Sequence, residues 1–522
     1  MKIFRRIAAA FLLVALMIGV SGCAGEGDLT IDIDRTITDK KLQYSFFAND
    51  MAAHNDDNRI MAKWEEMFNA DITLEGSGAD WMETLSLRIN SDDMPDMFFF
   101  VPNNTNYMTA YTNFVEKQLI IPLSDLATEK DTPYLYAYIN SPEFNELRID
   151  GKMYFMPGFT SVYSNTVYVR QDWLDNLGMN EPETIEEFEE MLRAFTEDDP
   201  DGYGRNDTFG MTASKVFEWL QFFRISFGVQ PGWSKDANGQ WQYEAFTKEY
   251  QDFLEWMRHL YEKGYIKNEF YLYEDSDSLN DFYNGKCGVL LYNGGRATGG
   301  VSYNMRRLNK EAVINVLPMP NGVAQGGYVT NGNWWGCWSI AYSAEEPMRL
   351  AKFLDYMLSE QGMKERLYGL EGTHYTEDAD GSIQLNFEER LKDGKFFGAT
   401  DDGKPRDYFA VGSYFGSPMK MENGYPVDNT DSCIYSEPEL AELTVQYGMQ
   451  NLVRYFPRET FHLGEDYAKT YSKIADRVYT YSIRIVAGNI SMEDGLAQMR
   501  SSAESDGYAK LQKILQDAYP NG

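Results

Sequence analysis

Along most of the chain, short apolar runs alternate with stretches whose apolar residues recur every three or four positions. KLQYSFF (41–47) reads as a strand, and 58–70 places Ile60, Trp64, Met67 and Phe68 on one helical face. DITLE (71–75) reads as a strand, 81–90 as a helix, and DMFFF (96–100), after Pro95, as a buried strand. The alternation resumes with TVYVR (166–170) and a short helix over 171–177 that Gly178 ends. Thr184-Ile185-Glu186-Glu187 is a capping box that opens a helix with Ile185, Phe188, Met191, Leu192 and Phe195 on one face. A helix over 247–263 turns Phe253, Leu254, Met257 and Tyr261 inward and stops at Gly264. CGVLLY (287–292) is a buried strand, a helix follows over 344–359, and 436–518 is mainly helical. Strands alternating with amphipathic helices predict an α/β fold with largely parallel sheets covered on both faces. No repeat, low-complexity block or linker interrupts 40–520, so two lobes would share segments rather than follow one another.

The N-terminal stretch breaks this pattern. Lys2, Arg5 and Arg6 precede an apolar run over 8–20, which closes in Val20-Ser21-Gly22-Cys23. That length suits a signal peptide better than a membrane span. Small residues before a cysteine are what lipoprotein processing requires, so Cys23 is the expected lipid attachment point, and several acyl chains on one residue anchor durably. Residues 24–38 read as a tether. Cys287, Cys337 and Cys433 then remain. Three thiols describe no disulfide framework, at most one pair can form, and buried small hydrophobes are the default reading.

Composition narrows the chemistry. With 47 basic and 80 acidic residues among 522, the formal charge is −33. This argues against a nucleic-acid partner and, less strongly, against a polyanionic ligand. Aromatic residues make up 15% of the chain; many must be core, but a sugar cleft also needs flat apolar faces. H-E-x-x-H, G-x-S-x-G, P-loop and paired C-x-x-C motifs are missing from the sequence, and its four histidines have no metal-ligand spacing. Adjacent carboxylates such as Glu186–Glu187 or Asp198–Asp199 cannot flank a glycosidic bond as acid and base. These features single out no catalytic site, and a surface glycosidase, whose local signatures are weak, stays as the enzymatic alternative.

Four stretches carry a resemblance: ADWMETLSLRINSDDMPDMF (79–98), GKMYFMPGFTSVYSNTVYVRQDWLDNL (151–177), GKCGVLLYNGG (285–295) and NGNWWGCWSIAYSAEEP (331–347). Together, in this order and behind a lipobox, they resemble the extracellular solute-binding proteins of family 1, the carbohydrate-binding subunits of ABC importers. The resemblance implies a periplasmic-binding-protein fold, with two α/β lobes joined by crossing strands near 158–163, 312–318 and 355–362. It divides the chain into a signal peptide (1–23), tether (24–38), lobe 1 (39–160), lobe 2 (161–314), a return to lobe 1 (315–358) and lobe 2 with a helical C-terminal part (359–522). It implies a monomer that captures a sugar by lobe closure and docks on separate permease subunits, the ATPase being another chain. Length and aromatic richness favour an oligosaccharide; a peptide or another non-sugar solute is the alternative.

Open α/β sheets bind ligands beyond the carboxyl ends of their strands. The ligand candidates are therefore Asn49 and Asp50 after the first strand, Phe99 and Asn103 at the third, Phe159 and Tyr163 at the crossing, and Tyr292, Asn293 and Arg296 after GVLLY. Trp334 and Trp335 precede the returning strand, one ring expected toward the cleft and one toward the core. Trp219 and Trp233 flank loops of the second lobe, and His374 and Tyr375 follow Gly372 in a loop that resembles a family loop near the cleft. Aromatic rings stack on sugar faces, while Asp, Asn and Arg bond vicinal hydroxyls. Residues 199–207 (DPDGYGRND) are spaced like an EF-hand loop, with Asp199, Asp201, the Arg205 carbonyl and Asp207 as ligands and Gly204 at the turn. Tyr203 and Gly210 stand where Asp or Asn and Glu are expected. A structural calcium, which some members of the resembled family bind here, and an ion-free Asx turn are the two readings; no cofactor is required.

Overall fold

The computed structural model describes residues 33–48, 58–76, 81–91, 93–101, 105–158, 166–213, 220–268, 270–273, 275–292, 301–302, 304–330, 336–379, 381, 383–393, 395–399, 405–408, 438–456 and 463–520. Arg35–Gly522 forms one compact unit, and all that follows concerns it. No helix among the described residues is long and apolar enough to cross a membrane. Cys23 lies outside them.

Two sheets organise the unit. The first contains β1 (Leu42–Phe47), β2 (Ala70–Glu75), β3 (Met97–Phe100), β4 (Met156–Pro157) and β12 (Cys337–Ile340), in the order β2-β1-β3-β12-β4. β1, β2 and β3 are parallel; β12 runs antiparallel to both β3 and β4. The second contains β5 (Thr166–Arg170), β6 (Phe209–Ala213), β9 (Cys287–Tyr292) and β10 (Ile314–Leu317), in the order β10-β5-β9-β6. β3, β5 and β12 are apolar-rich and buried at every position, as strands covered on both faces must be.

The helices follow the apolar periodicity. α1 (Arg59–Phe68) buries Ile60, Met61 and Trp64 and ends at Asn69 in the left-handed region. Met67 was expected inward but is 46% exposed, and Met61 takes its place on the buried face. α2 (Trp81–Asn90) covers β3 through Trp81, whose ring stacks on Phe99. In the second lobe, α3 (Gln171–Leu177) ends at Gly178 (φ +65°), and α4 (Ile185–Glu197) carries the expected Thr184–Glu187 capping box. α4 lies so close to β9 that a Cβ at Gly288 would sit 2.0 Å from the Phe195 ring. α5 (Lys248–Glu262) and two C-terminal helices, Gly464–Val486 and Tyr508–Ala518, close the same core.

The lobe boundaries differ from expectation in two places. β10 pairs with β5 in the second sheet, and Asn321, Ala324 and Tyr328 bond to Glu183, Ser226 and Asn451. Residues 314–330 therefore belong to lobe 2, and the return to lobe 1 comes at β12 rather than at 315. No crossing occurs at 355–362, because those residues lie within and between α6 (Pro347–Met357) and α7 (Glu360–Tyr368). From α7 to Asp393 the chain stays on lobe 1: Glu365 holds Lys63 and Trp64, and Asp393 holds Arg59. The 359–393 stretch had been expected on lobe 2. Neither difference has a local signal, since both depend on which distant strand or helix offers a partner.

Candidate functional site

The pairing registers define which strand ends share an edge in each sheet. In the first sheet, Phe47, Glu75, Phe100 and Pro157 end their strands on the edge where Cys337 begins β12. In the second, Leu317, Tyr292 and Ala213 end their strands on the edge where Thr166 begins β5. Pro157 and Thr166 are joined by only eight residues, so the two edges lie at a common crossing. Gly158 N–H donates to Gly336 O (2.8 Å), which places the return passage beside the first. A site between such edges is the usual one for open α/β sheets.

Seven segments leave these edges: 49–57, 77–80, 102–104, 159–165, 214–219, 293–300 and 331–335. They carry Asn49, Asp50, Asn103, Phe159, Tyr163, Trp219, Asn293, Arg296, Trp334 and Trp335, all outside the described residues. Tyr292 is described: it is half-buried at the end of β9, opposite Thr166. The Thr166 hydroxyl beside it is buried with no hydrogen-bond partner among the described residues.

Four expected ligand residues are placed elsewhere. Phe99 has no exposed surface and packs between Trp81 and Trp338, because β3 is covered on both faces. Trp233, which begins β7 (Trp233–Lys235), is buried against Tyr508 and Tyr243, the latter at the end of β8 (Trp241–Tyr243). His374 and Tyr375 are also buried. Tyr375 packs on Tyr368, while His374 accepts the Leu370 N–H at Nδ1 (2.8 Å) and meets Asp393 Oδ2 through Nε2 (2.7 Å). These four side chains contribute to packing and internal hydrogen bonds rather than to a surface open to ligand.

Two polar features at the edge were not anticipated. Glu75 ends β2 beside Phe47, and the Arg88 guanidinium lies 5.6 Å from the Phe47 ring. Arg88 is held by Glu75 and, through Nε, by Asp93 Oδ2 (3.0 Å). The strand-end rule that selects Asp50 also selects Glu75. Asp393 is the second feature: its carboxylate accepts the Arg59 N–H (3.0 Å) at the start of α1, which lies on the same side as the end of β1.

The 199–207 loop is turned as its glycines suggest, with φ of +71° at Gly202 and Gly204 and +49° at Asp199. Gly204 N–H donates to Asp199 Oδ2 (2.8 Å), and Asp199 Oδ1 is buried without a donor among the described residues. Burial and the neighbouring Asp199 and Asp207 carboxylates push the Asp201 pKa up. These features suit a cation. Asp207 instead pairs with Lys286 (3.0 Å), Arg205 is exposed and Tyr203 is 75% exposed. Among the described residues, no three His, Cys, Asp or Glu side chains gather as a metal-binding group. Cys287 and Cys337 are buried thiols in different sheets, and burial raises the Cys287 pKa; Cys433 lies outside the described residues.

Comparison with known proteins agrees with this geometry. Residues 54–364 match the family of bacterial extracellular solute-binding proteins. Over 271 residues the chain is 29% identical to the polygalacturonan/rhamnogalacturonan-binding protein YtcQ of Bacillus subtilis, covering 50% of this chain and 54% of that protein. Over 305 residues it is 26% identical to the fructooligosaccharide ABC transporter substrate-binding protein FusA of Streptococcus pneumoniae, covering 54% and 56%. The chain therefore spans about half the length of these curated relatives. Among solved structures, the alginate-binding protein AlgQ2 superposes with a TM-score of 0.68 at 16% identity, over 93% of this chain and 99% of that one. FusA of S. pneumoniae with kestose gives 0.66 at 19%, over 92% and 99%. These likenesses show the fold, which is periplasmic-binding-protein-like.

Proposed function

The chain belongs to the family of bacterial extracellular solute-binding proteins, and from that premise we propose that it captures an oligosaccharide between its lobes and delivers it to an ABC importer. One observation carries this reading. Eight residues join Pro157 of the first sheet to Thr166 of the second, and the sequence segments that adjoin the strand ends at this edge are rich in asparagine and aromatic residues. Such side chains bond vicinal hydroxyls and stack on pyranose or furanose faces. The sugars named for YtcQ and FusA support the same class of ligand.

The mechanism follows from differential contact. The open form exposes both edges, a sugar that touches both favours closure, and its preference for the closed form sets how far the equilibrium moves. Closed protein then docks on permease subunits in the membrane, to which Cys23 tethers it through lipid. Binding without turnover is the expected activity, with the protein acting as a monomer. The Asp199–Asp207 loop would hold calcium: Asp199, Asp201 and the Arg205 carbonyl supply oxygens, and Asp207 joins them on leaving Lys286. The ion would fix the loop.

A thermal-shift screen of residues 24–522 tests both points. It should include kestose, neutral glucans, galacturonate oligomers, tripeptides, calcium and a chelator. A bound sugar at 100 times its Kd stabilises by about 2.7 kcal/mol. A shift with one sugar class and no hydrolysis product supports capture; a shift with tripeptides alone replaces the ligand class, and turnover of a bound sugar replaces binding with catalysis. Loss of a calcium shift in Asp199→Ala supports the ion, whereas no calcium shift in the parent protein makes the loop an ion-free turn.

A further inference from the structure

Residues 35–38, expected in the tether, are fastened to lobe 1. The Thr38 N–H and hydroxyl donate to Glu346 Oε1 (3.1 and 2.5 Å), and the same hydroxyl accepts the Lys40 N–H (3.2 Å). Arg349, in the first turn of α6 and 3% exposed, completes the arrangement. Its guanidinium donates to Thr38 O (2.7 Å), Lys40 O (3.0 Å) and Glu346 Oε2 (2.5 Å). It also donates to Phe68 O (3.2 Å) and Asn69 O (2.8 Å) at the end of α1. Hydrogen bonds to charged groups are the stronger kind. On either side, Arg35 donates to Asp125 O in the short helix Leu123–Leu126, Asn69 donates to Asp39 O (3.0 Å), and Lys41 pairs with Asp71. Glu346 itself has a φ of +50°, where a glycine would sit with less strain. Its carboxylate joins Thr38 to Arg349, which gives a physical reason for a glutamate at that position.

These contacts lie at the start of β1, on the edge of the first sheet opposite the one where β1 ends at Phe47. The chain enters the fold there, and Glu346 and Arg349, some 300 residues further on, hold it along lobe 1 before the first strand begins. Eleven residues, 24–34, separate Cys23 from Arg35. By covalent geometry they span at most about 40 Å, and releasing residues 35–41 would add about 24 Å. We propose that residues 35–41 are a strap, buckled to lobe 1 by Glu346 and Arg349, that carries the pull of the lipid anchor into lobe 1 away from the ligand-side edge and limits the protein's reach from the membrane. Lobe 2 then moves against a lobe whose attachment is fixed. The anchoring role rests on reading Cys23 as lipidated.

The sequence supplies a direct test. Between Cys23 and β1, lysine occurs only at positions 40 and 41. A lysine-specific endoproteinase can therefore shed the intact domain from phospholipid vesicles only by cutting the strap. The lipidated parent protein is compared with Glu346→Gly, which removes the acceptor and suits the backbone, and with Thr38→Val, the milder change should the first not fold. Glu345→Gln is the control: it removes only the Lys40–Glu345 pair, whose side chains are both 61% exposed and which contributes little. Cuts after Lys40 and Lys41, identified by mass, should come about tenfold faster in both buckle variants, with shedding to match, and at the parent rate in Glu345→Gln. Equal rates in the parent protein and the buckle variants would overturn the proposal. So would an equal gain in Glu345→Gln, or a gain no greater than at lysines elsewhere in the chain. If Cys23 of the parent protein carries no lipid by mass, the anchor reading fails on its own. The same cuts in soluble residues 24–522 then decide the strap: faster cutting in the buckle variants keeps it, and unchanged cutting overturns it.

Discussion

Arg224 and Glu244 form an ion pair inside the second lobe, and replacing Glu244 with glutamine tests how that core is held. Nε lies 2.7 Å from Oε2, and the two side chains are 7% and 6% exposed. Arg224 also donates to Gln221 O (2.7 Å). Burial alone would lower the guanidinium's pKa, but Glu244 more than offsets it and the net direction is upward. At this separation the attraction is about 6 kcal/mol for an effective dielectric constant of about 20. Glu244→Gln removes the charge but keeps an acceptor, leaving a buried cation without its counter-ion, which should cost about 3–5 kcal/mol. Replacing both residues, as Arg224→Met with Glu244→Leu, removes the desolvation cost together with the attraction. That pair should come within about 1 kcal/mol of the parent protein or exceed it. Urea unfolding followed by tryptophan fluorescence measures all three proteins. A Glu244→Gln loss below about 1 kcal/mol, or a double variant as unstable as the single one, would refute the reasoning.

Two further outcomes follow from packing and protonation. Gly288→Ala drives a Cβ to 2.0 Å from Phe195 Cδ2 and should cost about 1–3 kcal/mol, part of which Phe195→Leu restores in the double variant; strictly additive losses in urea unfolding would contradict the close approach. His374 is held below its ordinary pKa mainly by burial, with Arg59 and Arg390 adding to the effect and Asp393 opposing it. The unfolded chain therefore takes up that proton first, so this contribution is complete above about pH 6.5 and is lost as pH falls below it. Asp393 is held down by Arg59 and His374 against the upward push of burial, so its contribution fades only further into acid. Tm measured from pH 7.5 to 5.5 should fall less steeply in His374→Gln than in the parent protein, and equal slopes would count against a buried neutral imidazole.

The order of strands and helices was legible because each apolar run is long enough to have one period. The Thr184–Glu187 box and the Gly178 stop were legible because caps are local chemistry. Met67 was misplaced by a few tens of degrees of helical phase, which Met61 resolves only once α1 meets its neighbours. The lobe of residues 314–330 and of 359–393 was not legible, because β10 and α7 could have satisfied other partners equally well by pattern. For the site, the strand-end rule that names Asp50 applies equally to Glu75, which ends β2. His374 was misread because a histidine in a glycine-flanked loop looks the same whether it faces solvent or a carboxylate nineteen positions on. Trp233 flanks a loop as expected, but it is buried on Tyr508, which comes from the far end of the chain and gives no local signal.

β12 sits between β3 and β4, yet it enters the sequence about 240 residues after β3. During synthesis, the first sheet must therefore wait with a gap between β3 and β4 while the whole second sheet is made. Its closing step joins strands separated by a very long stretch of chain, a slow kind of encounter that leaves two apolar edges unpaired in the meantime. A chain ending before residue 337 would be a half-built sheet rather than a shorter protein, with the aggregation tendency of exposed edges. The order in which the chain visits its sheets thus sets the moment at which the molecule first becomes safe to leave unattended.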